Sequence, residues 1–269
     1  MRKKILFTAF LLLATGCVSV NTTQPGAVGV SRSQTMLVSS ASINKSADTA
    51  YRQTIGEAQK KGQLNRDAVQ VARVRGIAGR LIPQTGAFRT DAPAWKWEVN
   101  VITSKEVNAW CMPGGKIAVY TGLIQQLQAT DAELAAVMGH EIAHALREHG
   151  RERASQAMAQ SIGISVAGAL LGVGGGGQDL TQAVLDVTFN LPNSRTDETE
   201  ADRIGVELAA RAAYDPHAAV TLWQKMQKVG GSQPPQFLST HPSHASRISD
   251  LQGYSAKVMP LYEAARAQR

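Results

Sequence analysis

His140-Glu141-Ile142-Ala143-His144 is the string in this sequence with the spacing of a reactive site. On a helix, residues four apart share a face, so both imidazoles can reach one ion. Glu141 lies about 100° round from His140, near enough to touch an ion-bound water without being a ligand. A zinc hydrolase needs this set: two neutral nitrogen donors, an open coordination position, and a carboxylate that accepts the water's proton. The competing reading is a pair of satisfied core histidines. A third ligand must come from elsewhere in the chain. A metzincin would require glycine at position 147 and histidine at 150, where this chain has Arg147 and Gly150. His149 points off the ligand face. The better source is Asp197-Glu198-Thr199-Glu200-Ala201-Asp202-Arg203, which reads as the start of a second helix. Glu198 and Asp202 share a face there, so Glu198 can ligate while Asp202 orients a histidine or the helix pair. Glu200 lies on nearly the opposite face, and both glutamates cannot bind one ion. An exposed acidic first turn, favoured by the helix dipole, is the bland alternative.

The elements that must position these groups are legible in part. Thr130-Asp131-Ala132-Glu133 forms a capping box that opens a helix through Leu134, Val137, Met138, Ile142 and Leu146. Earlier, residues 47–62 and 65–82 have helical patterning, the second capped by Asn65 with Val69, Ala72, Ile77 and Leu81 on its apolar face. Trp95, Trp97, Val99 and Val101 alternate as a half-buried strand. Val107 to Trp110 and Lys116 to Tyr120 are further short strands, parted by a Met112-Pro113-Gly114-Gly115 turn. Asp215-Pro216 starts another helix, ended by Gly230. The fold class expected is α+β, mainly helical, with a small sheet beside the histidine-bearing helix. Met158 to Val173 is apolar and rich in small residues, followed by four glycines. It is readable as a membrane insertion or, preferably, as a mobile hairpin hinged at those glycines.

The chain's 269 residues suffice for one sizeable domain. Arg2, Lys3 and Lys4 precede a short apolar run ending Leu13-Ala14-Thr15-Gly16-Cys17. That is the form of an export signal, and small residues before a cysteine resemble the bacterial lipobox. The expected division is a lipoprotein signal peptide over 1–16, a flexible tether over 17–46, and a single domain over 47–269. Cys17 would then be the lipidation site; an ordinary secretory signal is the alternative. Val18 in place of aspartate lacks the inner-membrane retention pattern, which points to an outer-membrane lipoprotein facing the periplasm. Acylation of Cys17 leaves Cys111 unpaired, a buried small hydrophobe. The net charge of +7 is scattered, with no dense basic run, which argues against nucleic-acid binding.

Three motifs stand in order: Asn108-Ala109 with Pro113-Gly114-Gly115-Lys116-Ile117, then HEIAHALREH, then SRTDETEADRIG. Over roughly residues 50–250 they resemble the HtpX-like and CAAX-prenyl-protease-like gluzincin metallopeptidases, and among these the small periplasmic lipoproteins. The resemblance implies a zincin-like fold and one zinc ion held by His140, His144 and Glu198, with Glu141 as catalytic base. It also implies protein substrates, misfolded or unfolded envelope proteins. In the resulting mechanism Glu141 takes the water's proton and passes it to the leaving amine. The strand Lys116 to Tyr120 is the expected edge that pairs with an extended substrate. His241, in His241-Pro242-Ser243-His244 near Arg247, carries two readings. It either approaches the zinc, as an oxyanion stabiliser or inhibitory fourth ligand, or belongs to a loop and helix cap with exposed imidazoles. The alternative function is an envelope chaperone or assembly factor with a latent or structural zinc site. A purely structural lipoprotein predicts no zinc.

Overall fold

The computed structural model describes residues 18–171, 179–229, 235–243 and 246–268. The expected signal peptide and Cys17, the glycine run at 174–177, Gly230 and His244 lie outside the described residues. Two short strands come first, β1 (Val18–Val20) and β2 (Gln34–Met36), paired antiparallel. This corrects the expected tether: Val28, Val30, Met36 and Val38 are buried. Gln34 donates to the carbonyl of Arg147 at 2.8 Å, and Arg32 is clamped to Glu152 at 2.6 Å. The segment lacks helical or strand periodicity because it runs as a strap, making contacts singly along its length rather than through one repeating face. The folded body therefore includes residues that composition assigns to a linker.

Helix α1 (Ser40–Lys60) begins at the Ser39 cap, seven positions before the expected start. Helix α2 (Ala68–Leu81) is capped by Asp67, not Asn65. Asn65 instead takes φ 52° and accepts the N–H of Val101. The buried face of α2 is Val71, Val74, Ile77, Ala78 and Leu81, while Val69 is 74% exposed. The cap lies two residues later than assumed, and Val69 falls in the first turn, off the face formed by Val71, Val74, Ile77 and Leu81.

The sheet contains β3 (Glu98–Ile102), β4 (Ala109–Met112) and β5 (Lys116–Tyr120) in the order β3-β5-β4. Its parallel β3–β5 pair and antiparallel β4–β5 pair put Lys116 to Tyr120 in the middle. The expected edge strand is thus paired on both sides, and the edges are β3 and β4, with β4 beside the histidine-bearing helix. The β4–β5 turn uses Gly114 and Gly115 at φ 81° and 83°, a region that favours glycine.

The remaining elements are α3 (Thr121–Gln126), α4 (Asp131–Leu146), α5 (His149–Leu171), α6 (Leu180–Phe189), α7 (Arg195–Arg211), α8 (Ala218–Lys228), α9 (Gln236–Thr240) and α10 (Arg247–Ala267). The protein is mainly helical with a small sheet, as expected. Among the described residues no helix is long and apolar enough to cross a membrane. The capping box is present: Thr130 accepts the N–H of Glu133, and Glu133 accepts that of Thr130 at 2.9 Å. From Leu134 to Leu146 every side chain of α4 is buried, so this helix is the central rod. It crosses α7 at Gly139 and Gly205, where a Cβ on Gly205 would lie 2.7 Å from the His140 nitrogen. Only glycine permits so close a backbone approach, and it brings the acidic turn of α7 up to the histidines.

Candidate metal centre

Two helices supply the core of the site. In α4, His140 and His144 turn their Nε2 atoms toward each other at 3.1 Å. In α7, capped by Ser194 and Asp197, Glu198 projects between them. Its Oε1 is 3.3 Å from His144 Nε2, and its Oε2 is 3.5 Å from His140 Nε2. His241, at the end of α9, completes the group: its Nδ1 is 2.9 Å from Glu198 Oε1 and 3.1 Å from His140 Nε2. All four side chains are buried, and their donor atoms lie within 4.8 Å of one another. Donors on a tetrahedral zinc ion, bonded at about 2.0–2.1 Å, stand about 3.3 Å apart, so these spacings fit such an ion.

The outer contacts have the same logic. Asp202 Oδ1 accepts from His140 Nδ1 at 2.9 Å, which leaves the Nε2 lone pair facing the centre. Arg247 is wholly buried and braces both acids, with Nη1 2.8 Å from Glu198 Oε2 and Nη2 2.7 Å from Asp202 Oδ1. Its guanidinium lies 3.3 Å over the Trp223 ring. Glu200 faces away, as expected, and His149 stands behind His144 with 2.8 Å between their Nδ1 atoms. Sequence reasoning gave no role to Arg247 or to the strap residue Arg32. A lone arginine carries no spacing signal, because its partners are distant in the chain.

Glu141 sits beside the centre rather than in it. Burial pushes its carboxyl above the ordinary range; Glu198 adds to this, while His241 and His140 oppose it. It accepts a backbone hydrogen bond from Cys111 on β4, yet its Oε1 is buried without a hydrogen-bond partner. That oxygen lies 3.4 Å from His241 Nε2, and a carboxylate without a hydrogen bond on one oxygen suits a group that takes a proton from water. Burial alone would lower His140, but Glu198 and Asp202 outweigh it and raise the ring to about 9. Burial drives His144 well below its usual value. Burial would lift Glu198, yet the neighbouring His241 and His140 rings hold it well below the carboxylate range. The centre is thus built for a cation.

A cleft opens from Glu141 and His144 along β4, lined by Trp110, Cys111, Pro113, Val184 and Val187. Tyr120 donates to the carbonyl of Asn108, so with strand alternation the polar backbone groups of Ala109 and Cys111 point away from β5. Arg153 ties the far wall together by donating to the carbonyls of Val187 at 3.2 Å and Leu191 at 2.6 Å.

Residues 70–255, more than half of the chain, match the model of peptidase family M48. The chain belongs to peptidase family M48. Its M48 relatives include the mitochondrial metalloendopeptidase OMA1 of Schizosaccharomyces pombe, 39% identical over 58% of this chain and 46% of the relative. The OMA1 of Arabidopsis thaliana is 40% identical over 56% of this chain and 30% of its own length. The beta-barrel assembly-enhancing protease of Escherichia coli is 26% identical over 74% of this chain and 41% of the relative. The chain thus spans less than half the length of each of these M48 relatives. The family agrees with the expected gluzincin resemblance. The finer likeness to small periplasmic lipoproteins is not what these relatives display, since OMA1 is mitochondrial.

Proposed function

We propose that this protein is a zinc-dependent metalloendopeptidase. The observation that carries the reading is the convergence of His140 Nε2, His144 Nε2 and the Glu198 carboxylate from two helices, with the Glu141 carboxylate beside them, its Oε1 without a hydrogen bond and 3.4 Å from His241 Nε2. His140, His144 and Glu198 would hold the ion, and the metal would supply Lewis acidity to a bound water and a peptide carbonyl. Zinc suits a set of two imidazoles and one carboxylate. Asp202 orients His140, and Arg247 holds Glu198 and Asp202 in place. Glu141 accepts a proton from water and returns it to the leaving amine. The outward carbonyls of Ala109 and Cys111, whose N–H groups are already held by Asn108 and Glu141, accept from an extended substrate in the cleft. Main-chain pairing selects for unfolded polypeptide rather than for particular side chains.

The test compares purified wild type with Glu141→Gln. Zinc content is expected to be equal, and cleavage of casein, or of the protein itself, to vanish in the variant. Retained cleavage removes Glu141 from the mechanism, and metal-free wild type sinks the zinc reading.

The nearness of His241 favours a second reading of the same centre. With its Nδ1 3.1 Å from His140 Nε2, it stands where the open coordination position would be needed, which supports a fourth-ligand role over an exposed cap. A protein held in that state is latent as a protease and available as an envelope assembly factor. Loss of cellular function in Glu141→Gln argues for proteolysis; retained function argues for the assembly role.

Location and substrates follow from the N-terminal sequence. The apolar run ending in Cys17 supports a lipid-anchored protein of the outer membrane facing the periplasm, acting on misfolded envelope proteins. The E. coli relative's name, beta-barrel assembly-enhancing protease, is consistent with such a setting. Cys17→Ser is expected to move the protein from the membrane fraction to the soluble fraction, and an unchanged distribution counts against the anchor.

A further inference from the structure

His144 has a second partner that the mechanism leaves unused. Its Nδ1 lies 2.8 Å from Nδ1 of His149, and His149 Nε2 lies 3.0 Å from Glu200 Oε2. The hydrogens along this line have one consistent arrangement. For His144 to offer Nε2 as a neutral ligand, its hydrogen must be on Nδ1. Nδ1 of His149 must then accept, which puts the hydrogen of His149 on Nε2, where it donates to Glu200. Glu200 is in turn fixed by two guanidiniums: Arg147 Nε at 3.0 Å and Arg32 Nε at 2.8 Å. The backbone is shaped for this return. Glu148, between α4 and α5, adopts φ 52°, uncommon for a residue with a side chain. It is pinned there by Arg89 and Arg151, each at 2.6 Å. The reversal swings His149 back beneath His144 and buries it at 1% exposure.

The ligand-type atoms of His149, Asp197 and Glu200 also lie within reach of one cation. That alternative fails on occupancy. Glu200 already receives Arg32, Arg147 and His149, and Asp197 receives Arg32 at 3.2 Å while capping α7. A metal there would have to displace a bound arginine.

We propose that His149 is a positioning residue for His144, setting its tautomer and ring orientation through a His144–His149–Glu200 line anchored by Arg147 and by Arg32 of the N-terminal strap. His140 is backed directly by a carboxylate, and His144 is backed by one at a remove. This inference rests on the metal-site reading above.

The test measures zinc affinity of the purified full chain by competition with a chromophoric chelator, beside thermal unfolding of the metal-free proteins. Partners that orient ligating histidines typically carry about 10–100-fold in metal affinity, so His149→Ala is expected to bind zinc that much more weakly. His149→Asn places a side-chain oxygen near the position of the accepting nitrogen and is expected to recover affinity to within about threefold of wild type. An alanine variant binding within about twofold of wild type overturns the proposal. So does an asparagine variant no better than alanine, which would make the histidine mere packing. Should alanine fail to fold, His149→Asn is compared with His149→Gln, whose amide sits toward Glu200 and misses His144. Equal affinities then overturn it. Wild type failing to bind zinc sinks the metal-site reading, whereas zinc-binding wild type with an indifferent His149 sinks only this inference.

Discussion

Glu198 divides its carboxylate between two kinds of partner: Oε1 faces His144 and His241, and Oε2 faces Arg247 and His140. Among the four donor side chains His241 is the one free to leave without dismantling the others, because it comes from the end of α9 while His140, His144 and Glu198 sit on the packed pair α4 and α7. Its ring stacks on Phe237 with centroids 4.2 Å apart, the packing contact that His241→Ala also removes. His241→Ala is therefore expected to raise cleavage of unfolded casein several-fold if the ring blocks the water position. A loss of cleavage at unchanged zinc content would assign it to oxyanion stabilisation instead. At this scale the sequence was informative wherever roles follow helical spacing. Four-residue separations marked His140 with His144 and Glu198 with Asp202. His241 and Arg247 escaped or stayed open because their partners, such as the His140–His241 pair separated by 101 positions, meet only after folding, and His149 because the φ 52° reversal at Glu148 that brings it under His144 breaks helical spacing.

Between elements, the crossing of α4 and α7 sets how near the acid comes to the imidazoles. Gly205 abuts the His140 backbone, and Gly139 meets the carbonyl of Gly205 with a Cβ distance of 2.8 Å. Gly205→Ala must push the helices apart. Overpacking of this kind costs about 1–3 kcal/mol, to be read from chemical denaturation of the metal-free protein. Zinc affinity is expected to fall as well, since Glu198 moves with α7. Unchanged stability and affinity together would show that the crossing is compliant. Helix α4, the strands and the turn between β4 and β5 were readable from caps, alternation and glycines. Strand order was not, because β3 and β5 pair across an intervening strand, and so the edge was assigned to the wrong strand. The start of α2 was misplaced for a local reason: Asp67, not Asn65, accepts the first free N–H groups.

Across the whole molecule, the strap of residues 18–38 is tied to the rest by charge. Burial would raise the Glu200 carboxyl, but His149, Arg32 and Arg147 together hold it at about 2 against an ordinary 4.5. A lowered folded-state value stabilises the protein above the unfolded value and is lost as pH falls through the folded one. The melting temperature of the metal-free protein is thus expected to drop as pH falls from about 4.5 toward 2. Glu200→Gln should flatten that dependence, and an unaltered acid profile would show that the strap's charges contribute nothing. Composition could not reveal this role, because a run of serine, threonine and glycine reads as solvent-loving until its few valines and one arginine find buried partners.

That packing has a mechanical corollary. About 25 freely jointed residues would give the body a roaming radius of roughly 25–30 Å; β1 instead begins at Val18, directly against the fold. If Cys17 carries the proposed lipid, that anchor would hold the cleft at a nearly fixed height and attitude. Polypeptides must then come to it, threading a loose end or slack loop inward, so exposure of such slack near the attachment point would govern what is cut.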